Sequence, residues 1–404
     1  MDTTTSASAA AASLVPTTAV RPFRLEIPQA ALDDLHDRLA RTRFAPPLPG
    51  DGWETGVPVA YQRELVTYWL EEYDWRAQEA AINTYPQITT EIDGLQVHAV
   101  HVRSRHAGAL PLLLTHGWPG SFVELLDLIG PLTDPVAHGG DAADAFHVVI
   151  PSLPGFGFSG PVHNAGWDTT RTAAAWAELM RRLGYDRYGV QGGDIGAAVS
   201  PEVARVTRTD DGTGDVVGVH LNGNVGTPFH ELDDDERASL TDLERDRVDR
   251  IGRFVTEEFG YISIQSTRPG TLGAALADSP VGQLTWIVDK LREWTHPREA
   301  LPHEVLGTDR LLTNAMVYWL SNTGASSAYV GYAQESAWGE EKTPTDVPTA
   351  VITFAHDVGI RRYAEGEHHI TRWTDIPERG GHFAAMEEPE ALTADVREFF
   401  ADLR

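Results

Sequence analysis

The chain has 404 residues, a formal net charge of −27 and no cysteine. The missing cysteines exclude disulfides, thiolate metal sites and a cysteine nucleophile, and the acidic balance argues against binding of nucleic acid or an anionic membrane. No run of 18 apolar residues is present, so the sequence predicts no transmembrane helix.

Residues 1–20 are rich in Ala, Ser and Thr and lack the basic and apolar regions of a signal peptide. They predict a disordered tail and a cytoplasmic protein. Residues 21–105 read as an N-terminal module, because apolar residues at helical spacing in Pro28–Leu39 and Tyr61–Ile82 predict two helices. Two alternating runs around Asp93-Gly94 then predict a β-hairpin.

From residue 106 the pattern changes to short, continuously apolar strands that alternate with helices. The predicted strands are Leu112–Thr115, Phe146–Ile150, Tyr188–Gln191, Val216–Leu221 and Thr349–Phe354, and the predicted helices are Thr169–Gly184, Ala197–Val206 and Pro389–Leu403. Such strands indicate a parallel sheet that is covered by helices on both faces. We therefore expect an α/β core formed by residues 106–224 and 346–404.

Residues 225–345 interrupt the alternation of strands and helices with a long helical segment. An insertion after a late strand of a parallel sheet lies over the carboxyl ends of the strands, where ligands bind. The sequence therefore predicts a helical cap.

The sharpest chemical signal is Gly192-Gly-Asp-Ile-Gly196, between a predicted strand and a predicted helix. Small residues on either side of a central nucleophile in this context are typical of the nucleophile elbow. Here the central residue is Asp194, whose carboxylate would attack an sp³ carbon and form an alkyl ester that water then cleaves. The alternative interpretation is an ordinary aspartate helix cap with turn glycines.

A second motif, His116-Gly-Trp-Pro-Gly120, ends the first core strand. In the nucleophile-elbow arrangement, two backbone N–H groups form the oxyanion hole, and we assign them to Trp118 and Ile195. A cis Trp118-Pro119 bond would fix this loop. The alternative is a simple strand-ending turn.

A third motif supplies a histidine near the C-terminus. His382 follows two glycines in Arg379-Gly-Gly-His382, and the chain order nucleophile, acid, histidine is that of α/β-hydrolases. His382 would deprotonate the water that cleaves the ester. Asp357, after the strand Thr349–Phe354, is our choice for the acid that orients this histidine; Glu365 and Asp375 compete for the role.

With these motifs in hand, the chain resembles the microsomal-type epoxide hydrolase family along nearly its whole length. Beyond the three motifs above, the segments that carry the resemblance are Glu72–Arg76, Ile92–His98, Pro151–Ser159, Gly260–Gln265, Thr267–Pro269, Asp278–Gly282 and Gly380–Ala385. The resemblance implies an α/β-hydrolase fold with an N-terminal wrapping module and a helical cap.

The resemblance also implies roles for individual residues. It makes Asp194 the nucleophile, His382 the base and Asp357 the acid, although the family often has Glu at the acid position. Two cap tyrosines donate hydrogen bonds to the epoxide oxygen in this family. Tyr261 matches the first, and Tyr332 is the better match to the second, with Tyr329 as a competitor.

Substrate contacts are expected from Trp118, Pro119, Ile195 and Phe383. Ile195 departs from the Trp that is common at its position in the family, which puts the shape of the substrate pocket in doubt. The implied reaction converts an epoxide and water to a vicinal diol, on an apolar or aromatic substrate of detoxification or secondary metabolism. No metal or organic cofactor is implied, and a homodimer is compatible with the sequence.

Two rival functions remain open at this stage. A haloalkane or haloacid dehalogenase would share the fold and the Asp–His–acid set, but it needs N–H donors for the departing halide, often a Trp where Ile195 stands. A non-catalytic binding protein could retain the fold, although the complete set of Asp194, Asp357 and His382 argues against lost activity.

Overall fold

The computed structural model describes residues 18–50, 52–209, 214–228, 230, 232–333 and 344–404. Most of the predicted N-terminal tail, residues 1–17, lies outside the described residues, as do residues 334–343 of the predicted cap. Within the described ranges, no helix combines the length and the apolar character needed to cross a membrane.

In the described part of the chain, nine strands form one mixed sheet in the order β1-β2-β3-β5-β4-β6-β7-β8-β9. The three N-terminal strands pair antiparallel with one another and β3 pairs antiparallel with β5, whereas β5, β4, β6, β7, β8 and β9 run parallel. The strands are β1 Arg21–Phe23, β2 Gln87–Ile92, β3 Leu95–Val102, β4 Leu110–Thr115, β5 Phe146–Pro151, β6 Tyr188–Gly193, β7 Val216–Asn222, β8 Thr345–Phe354 and β9 His368–Ile376.

The helices fall into three groups along the chain. Before the parallel strands lie α1 Gln29–Ala40, α2 Val59–Glu71 and α3 Trp75–Ile82. Between the parallel strands and after them lie α4 Leu126–Thr133, α5 Thr169–Arg182, α6 Ile195–Val206, α15 Arg361–Ala364, α16 Ala384–Glu387 and α17 Pro389–Phe400. Between β7 and β8 lie α7 Asp234–Ser239, α8 Asp242–Arg253, α9 Gly260–Thr267, α10 Pro269–Asp278, α11 Pro280–Trp294, α12 Pro302–Leu306, α13 Thr308–Ser321 and α14 Gly324–Ala333.

Helices cover both faces of the parallel strands, as the sequence predicts. Side chains alternate along a strand, so positions 189 and 192 of β6 point to opposite faces. A methyl group added at Gly189 would contact Phe400 of α17, and one added at Gly192 would clash with Gly196 of α6. Helices α6 and α17 therefore lie on opposite faces, and the α/β prediction is confirmed.

Two local predictions can be compared directly with the structure. The hairpin is confirmed, with Asp93 (φ 52°) and Gly94 (φ 74°) at the turn between β2 and β3. The single helix Tyr61–Ile82 is wrong, because the chain breaks after Glu71. Asp74 caps α3 by accepting a hydrogen bond from the Ala77 N–H at 3.2 Å, and such a cap favours a new helix start over a continuous helix.

A buried polar cluster fastens the last helix to the sheet. His220 of β7 is fully buried, and its Nε2 lies 3.0 Å from Asp395 of α17, which is 4 % exposed. From β9, Arg372 and Thr374 donate hydrogen bonds to the same carboxylate at 2.7 Å and 2.6 Å. Burial alone would raise the pKa of Asp395, but these partners lower it below its usual value. The Asp395 carboxylate is therefore ionised, and it links α17 to strands β7 and β9.

We expect Asp395→Ala to lower the free energy of unfolding by about 3 kcal/mol, because removing one partner of a buried charged cluster leaves the others unpaired. Urea unfolding measures the change. Asp402→Ala, at an exposed position on the same C-terminal segment, is the control and should match the wild type. Equal stability of the two variants would contradict the role of the cluster.

Candidate active site

Asp194 lies at the turn between β6 and α6, in the conformation that the glycine-rich motif predicts. Its φ of 54° and ψ of −122° fall where non-glycine residues are rare. A methyl group at Gly192 would clash with the backbone of Gly196, and one at Gly196 would clash with the Thr115 carbonyl. The two glycines therefore allow the tight turn that presents the Asp194 carboxylate.

Two backbone N–H groups lie at the Asp194 carboxylate. The Trp118 N–H donates to Oδ1 at 2.8 Å, and the Ile195 N–H acts on the same carboxylate by lowering its pKa. The sequence assigns these two groups to the oxyanion hole, and the structure places both at Asp194. They are positioned to stabilise negative charge on an oxygen at this position.

The loop that carries Trp118 is braced by α13. The Asn314 amide donates to the Pro119 carbonyl at 2.7 Å and accepts from the Ser121 hydroxyl at 2.8 Å. The Tyr318 hydroxyl donates to the Gly120 carbonyl. The Trp118-Pro119 peptide bond is cis, as expected.

His382 faces the other oxygen of the Asp194 carboxylate. Its Nε2 lies 3.3 Å from Asp194 Oδ2, and the two side chains are 10 % and 28 % exposed. Burial would lower the pKa of His382, but the hydrogen bond and charge of Asp194 outweigh burial and raise it. Likewise, burial would raise the pKa of Asp194, but His382 and the two N–H groups lower it. Each of the two groups thus favours the charged form of the other.

Asp357 is fully buried in the loop after β8. Its Oδ2 accepts from the Phe354 N–H at 2.8 Å, and its Oδ1 has no hydrogen-bond partner among the described residues. Burial raises the pKa of Asp357 to about 6, while the charge of His382 lowers it. The charge of Asp357 in turn raises the pKa of His382. The structure therefore brings Asp357 within electrostatic reach of His382.

The two competing acids have other partners. The exposed Glu365 accepts a hydrogen bond from Arg361 at 2.7 Å. Asp375 accepts from the Thr353 hydroxyl at 2.6 Å and from Arg247 at 2.7 Å.

Helix α8 fastens the loop that carries Asp357. Arg247, which is 2 % exposed, donates to the Gly359 carbonyl at 2.8 Å. Arg250 donates to the carbonyls of Ala355 and His356 at 2.6 Å and 2.7 Å. Motif reading missed both arginines, because their partners lie more than a hundred positions away in the chain.

The structure brings Tyr261 to the site but does not bring Tyr332 there. The Tyr261 ring stacks on Trp118 with centroids 5.0 Å apart, and the charge of Asp194 acts on its hydroxyl. Tyr332 is 45 % exposed on α14 and stacks on Tyr329 at 5.6 Å. A catalytic role for Tyr332 therefore remains a prediction.

Two cavities meet at Asp194 and His382. A chamber of about 240 Å³ is lined by Tyr261, Phe254 and Trp294 as well as this pair. A smaller cavity of about 20 Å³ is bounded by Trp118, Glu124 and Phe383 together with the pair. A groove of about 1130 Å³ between the segment after α1 and helix α11 is larger, but it shares no lining residue with either cavity in the described ranges.

The predicted substrate contacts separate into two groups. Trp118 and Phe383 line the smaller cavity. Pro119 and Ile195 are absent from the described linings of both cavities at Asp194, and the Ile195 side chain packs against the hydrophobic core.

Motif reading also missed Trp294 and Glu124. The Trp294 and His382 rings have centroids 5.0 Å apart, and the Trp294 carbonyl accepts a hydrogen bond from the His382 backbone N–H at 2.9 Å. Glu124 is a single carboxyl in the otherwise apolar stretch Phe122–Leu126, and that isolation was the available signal. Across the described residues, no cluster of three or more His, Asp or Glu side chains is arranged to hold a metal ion.

Comparison with known proteins identifies the family and the fold. The sequence model for the epoxide hydrolase N terminus matches residues 20–125, and that for the alpha/beta hydrolase fold matches residues 111–247. Epoxide hydrolase 1 of Oryctolagus cuniculus is 34 % identical over 94 % of this chain and 88 % of its own length.

Two solved structures are similar over nearly their whole length. The epoxide hydrolase of Aspergillus niger has a TM-score of 0.82 at 29 % identity, covering 96 % of this chain and 98 % of that one. The juvenile hormone epoxide hydrolase of Bombyx mori has a TM-score of 0.81 at 29 % identity, covering 96 % and 95 %. The α/β-hydrolase fold is thereby confirmed, and the chain belongs to the epoxide hydrolase family.

Proposed function

We propose that this chain converts an epoxide and water to a vicinal diol through a covalent ester on Asp194. The observation that carries the proposal is that the two oxygens of the Asp194 carboxylate have different partners. Oδ1 is held by the Trp118 N–H at 2.8 Å, while Oδ2 lies beside His382 Nε2 at 3.3 Å. These contacts support Oδ1 as the future ester carbonyl and Oδ2 as the attacking atom.

In the first step, Oδ2 attacks an epoxide carbon and the ring C–O bond breaks. The ring oxygen takes up a proton from a phenol, for which we propose Tyr261. Burial, together with the charges of Asp194 and Glu258, raises the pKa of Tyr261 well above 10. The hydroxyl therefore keeps its proton at neutral pH and can donate it to the developing alkoxide.

In the second step, water attacks Cγ of the ester and His382 takes one of its protons. The charge that develops on Oδ1 is stabilised by the N–H groups of Trp118 and Ile195. Cleavage of the Cγ–Oδ2 bond releases the diol, and the departing oxygen takes the proton from His382. The charge of Asp357 stabilises the imidazolium between these two transfers. The second proton of the water, left on the Asp194 carboxyl, returns to the Tyr261 phenolate, so both groups regain their starting states.

The lining of the larger chamber supports an apolar or aromatic substrate. Tyr261, Trp294 and Phe254 present rings to it, and such surfaces favour apolar and aromatic groups. The epoxide would lie between the Asp194 carboxylate and the Tyr261 hydroxyl.

We expect His382→Gln to form the ester once and then stop, because the nucleophile remains while the base is lost. Intact-mass spectrometry after addition of an aryl epoxide should show one protein species heavier by the mass of that epoxide. Asp194→Ala is the matched control and should show neither adduct nor turnover. An unmodified His382→Gln protein would overturn the ester mechanism.

We expect Tyr261→Phe to lower the rate of ring opening by roughly 10²–10⁴-fold, the range typical of a lost general acid. Stopped-flow quenching of tryptophan fluorescence under single-turnover conditions measures this step. Tyr332→Phe and the Tyr261→Phe, Tyr332→Phe double variant test whether Tyr332 is the second proton donor. A lower rate of ring opening in the double variant than in Tyr261→Phe supports that role. Undiminished ring opening in the double variant would remove both tyrosines from the mechanism.

The ester should accumulate as the pH falls from about 8 to about 5, a range that spans the usual pKa of histidine. The charge of Asp194, which raises the pKa of His382, is lost when the ester forms. Below the pKa that His382 has in the ester, its imidazole is protonated and cannot accept a proton from water. In the free enzyme, Asp194 stays ionised over this range because its pKa is lowered. Acid quenching of steady-state mixtures followed by intact-mass analysis measures the ester fraction, and a fraction independent of pH would contradict the role of His382.

A further inference from the structure

Glu124 places a third ionisable group beside Asp194 and His382, and the reaction described above does not use it. It belongs to the 3₁₀ turn Phe122–Leu125, which Ser121 caps through its hydroxyl. Its side chain is partly buried and forms part of the wall of the 20 Å³ cavity.

Two glycines let the Glu124 carboxyl reach this cavity. A methyl group at Gly120 would overlap Glu124 Oε2, so the carboxyl occupies the space that a side chain at position 120 would fill. The Gly117 N–H lies at the Glu124 carboxyl and acts to lower its pKa. A methyl group at Gly117 would clash with the Asp194 side chain, so the two carboxyls flank the backbone of one residue.

The three ionisable groups act on one another across the cavity. Burial and the negative charge of Asp194 raise the pKa of Glu124 to about 8, and the charge of His382 works against this rise. Glu124 in turn raises the pKa of His382. Near neutral pH the Glu124 carboxyl carries a proton, so it can both donate and accept a hydrogen bond.

The cavity between these groups has the size of one water molecule. Its volume of about 20 Å³ exceeds the roughly 10–15 Å³ that a water needs. A buried water also needs two to four polar partners, and Asp194, Glu124 and His382, which carry such groups, all line the cavity.

We propose that this cavity holds the water that hydrolyses the ester and that the Glu124 carboxyl orients this water toward Asp194 Cγ. The inference rests on the proposed ester mechanism. The water oxygen bonds to Cγ, one water proton passes to His382 Nε2, and the other stays on oxygen in a hydrogen bond to Glu124. Glu124 gains and loses no proton. Ring opening uses Asp194 and a phenol, so it does not depend on Glu124.

The test is Glu124→Gln, which keeps the length of the side chain and an acceptor for the Gly117 N–H. We expect ring opening within about twofold of the wild-type rate and ester hydrolysis slower by roughly 10²-fold, the loss typical of a misplaced reactant. Single-turnover fluorescence gives the first rate, and the decay of the ester by intact mass gives the second.

Asp127→Asn is the matched control, because Asp127 is an exposed carboxylate three residues away that pairs with Arg310. Both rates should be unchanged in it. If Glu124 only supported the Gly117 loop, the rates of ring opening and ester hydrolysis in Glu124→Gln would fall together or both stay unchanged. Either result overturns the proposal. Should Glu124→Gln lose its fold, Glu124→Asp keeps the carboxyl but shortens its reach, and it should show the same selective loss.

The outcomes separate this inference from the mechanism on which it rests. An ester that persists in His382→Gln but decays at the wild-type rate in Glu124→Gln overturns the assignment of Glu124 alone. Absence of an ester in His382→Gln overturns the mechanism, and the assignment of Glu124 falls with it.

Discussion

The Asp194 carboxylate is held from two sides, and most of the site is arranged around that fact. On one side, the backbone N–H groups of Trp118 and Ile195 bind it; on the other, the His382 imidazole contacts it at 3.3 Å. Both sides favour the ionised form and oppose the cost of burying the charge. In the proposed mechanism, the carboxylate attacks in this ionised form, and the same N–H groups stabilise the charge that returns to Oδ1 during hydrolysis.

Three carboxyl groups influence the same imidazole, and their surroundings give them different states. The pKa of Asp194 is lowered, whereas burial raises that of Asp357 to about 6 and that of Glu124 to about 8. Groups with separated pKa values can perform separate tasks in one site. In the proposed mechanism, these three states suit Asp194 as the nucleophile, Asp357 as the group that stabilises the imidazolium, and Glu124 as the neutral carboxyl that orients water.

The site is assembled by elements that are distant in the chain. Helix α13 braces the Trp118 loop through Asn314 and Tyr318, and helix α8 holds the Asp357 loop through Arg247 and Arg250. Both helices belong to the segment between β7 and β8. That segment therefore helps to position the reacting groups of the α/β core as well as supplying Tyr261.

The sequence alone determined the features that depend on neighbouring residues. The alternation of apolar strands with helices predicted the parallel sheet, and the glycines around Asp194 predicted the nucleophile elbow, because both are properties of a few consecutive residues. The tertiary structure decided which distant groups meet. It placed Glu124 beside Asp194, left Tyr332 exposed and paired Asp375 with Arg247 through a hydrogen bond. Those outcomes depend on packing between segments far apart in the chain, which no local pattern records.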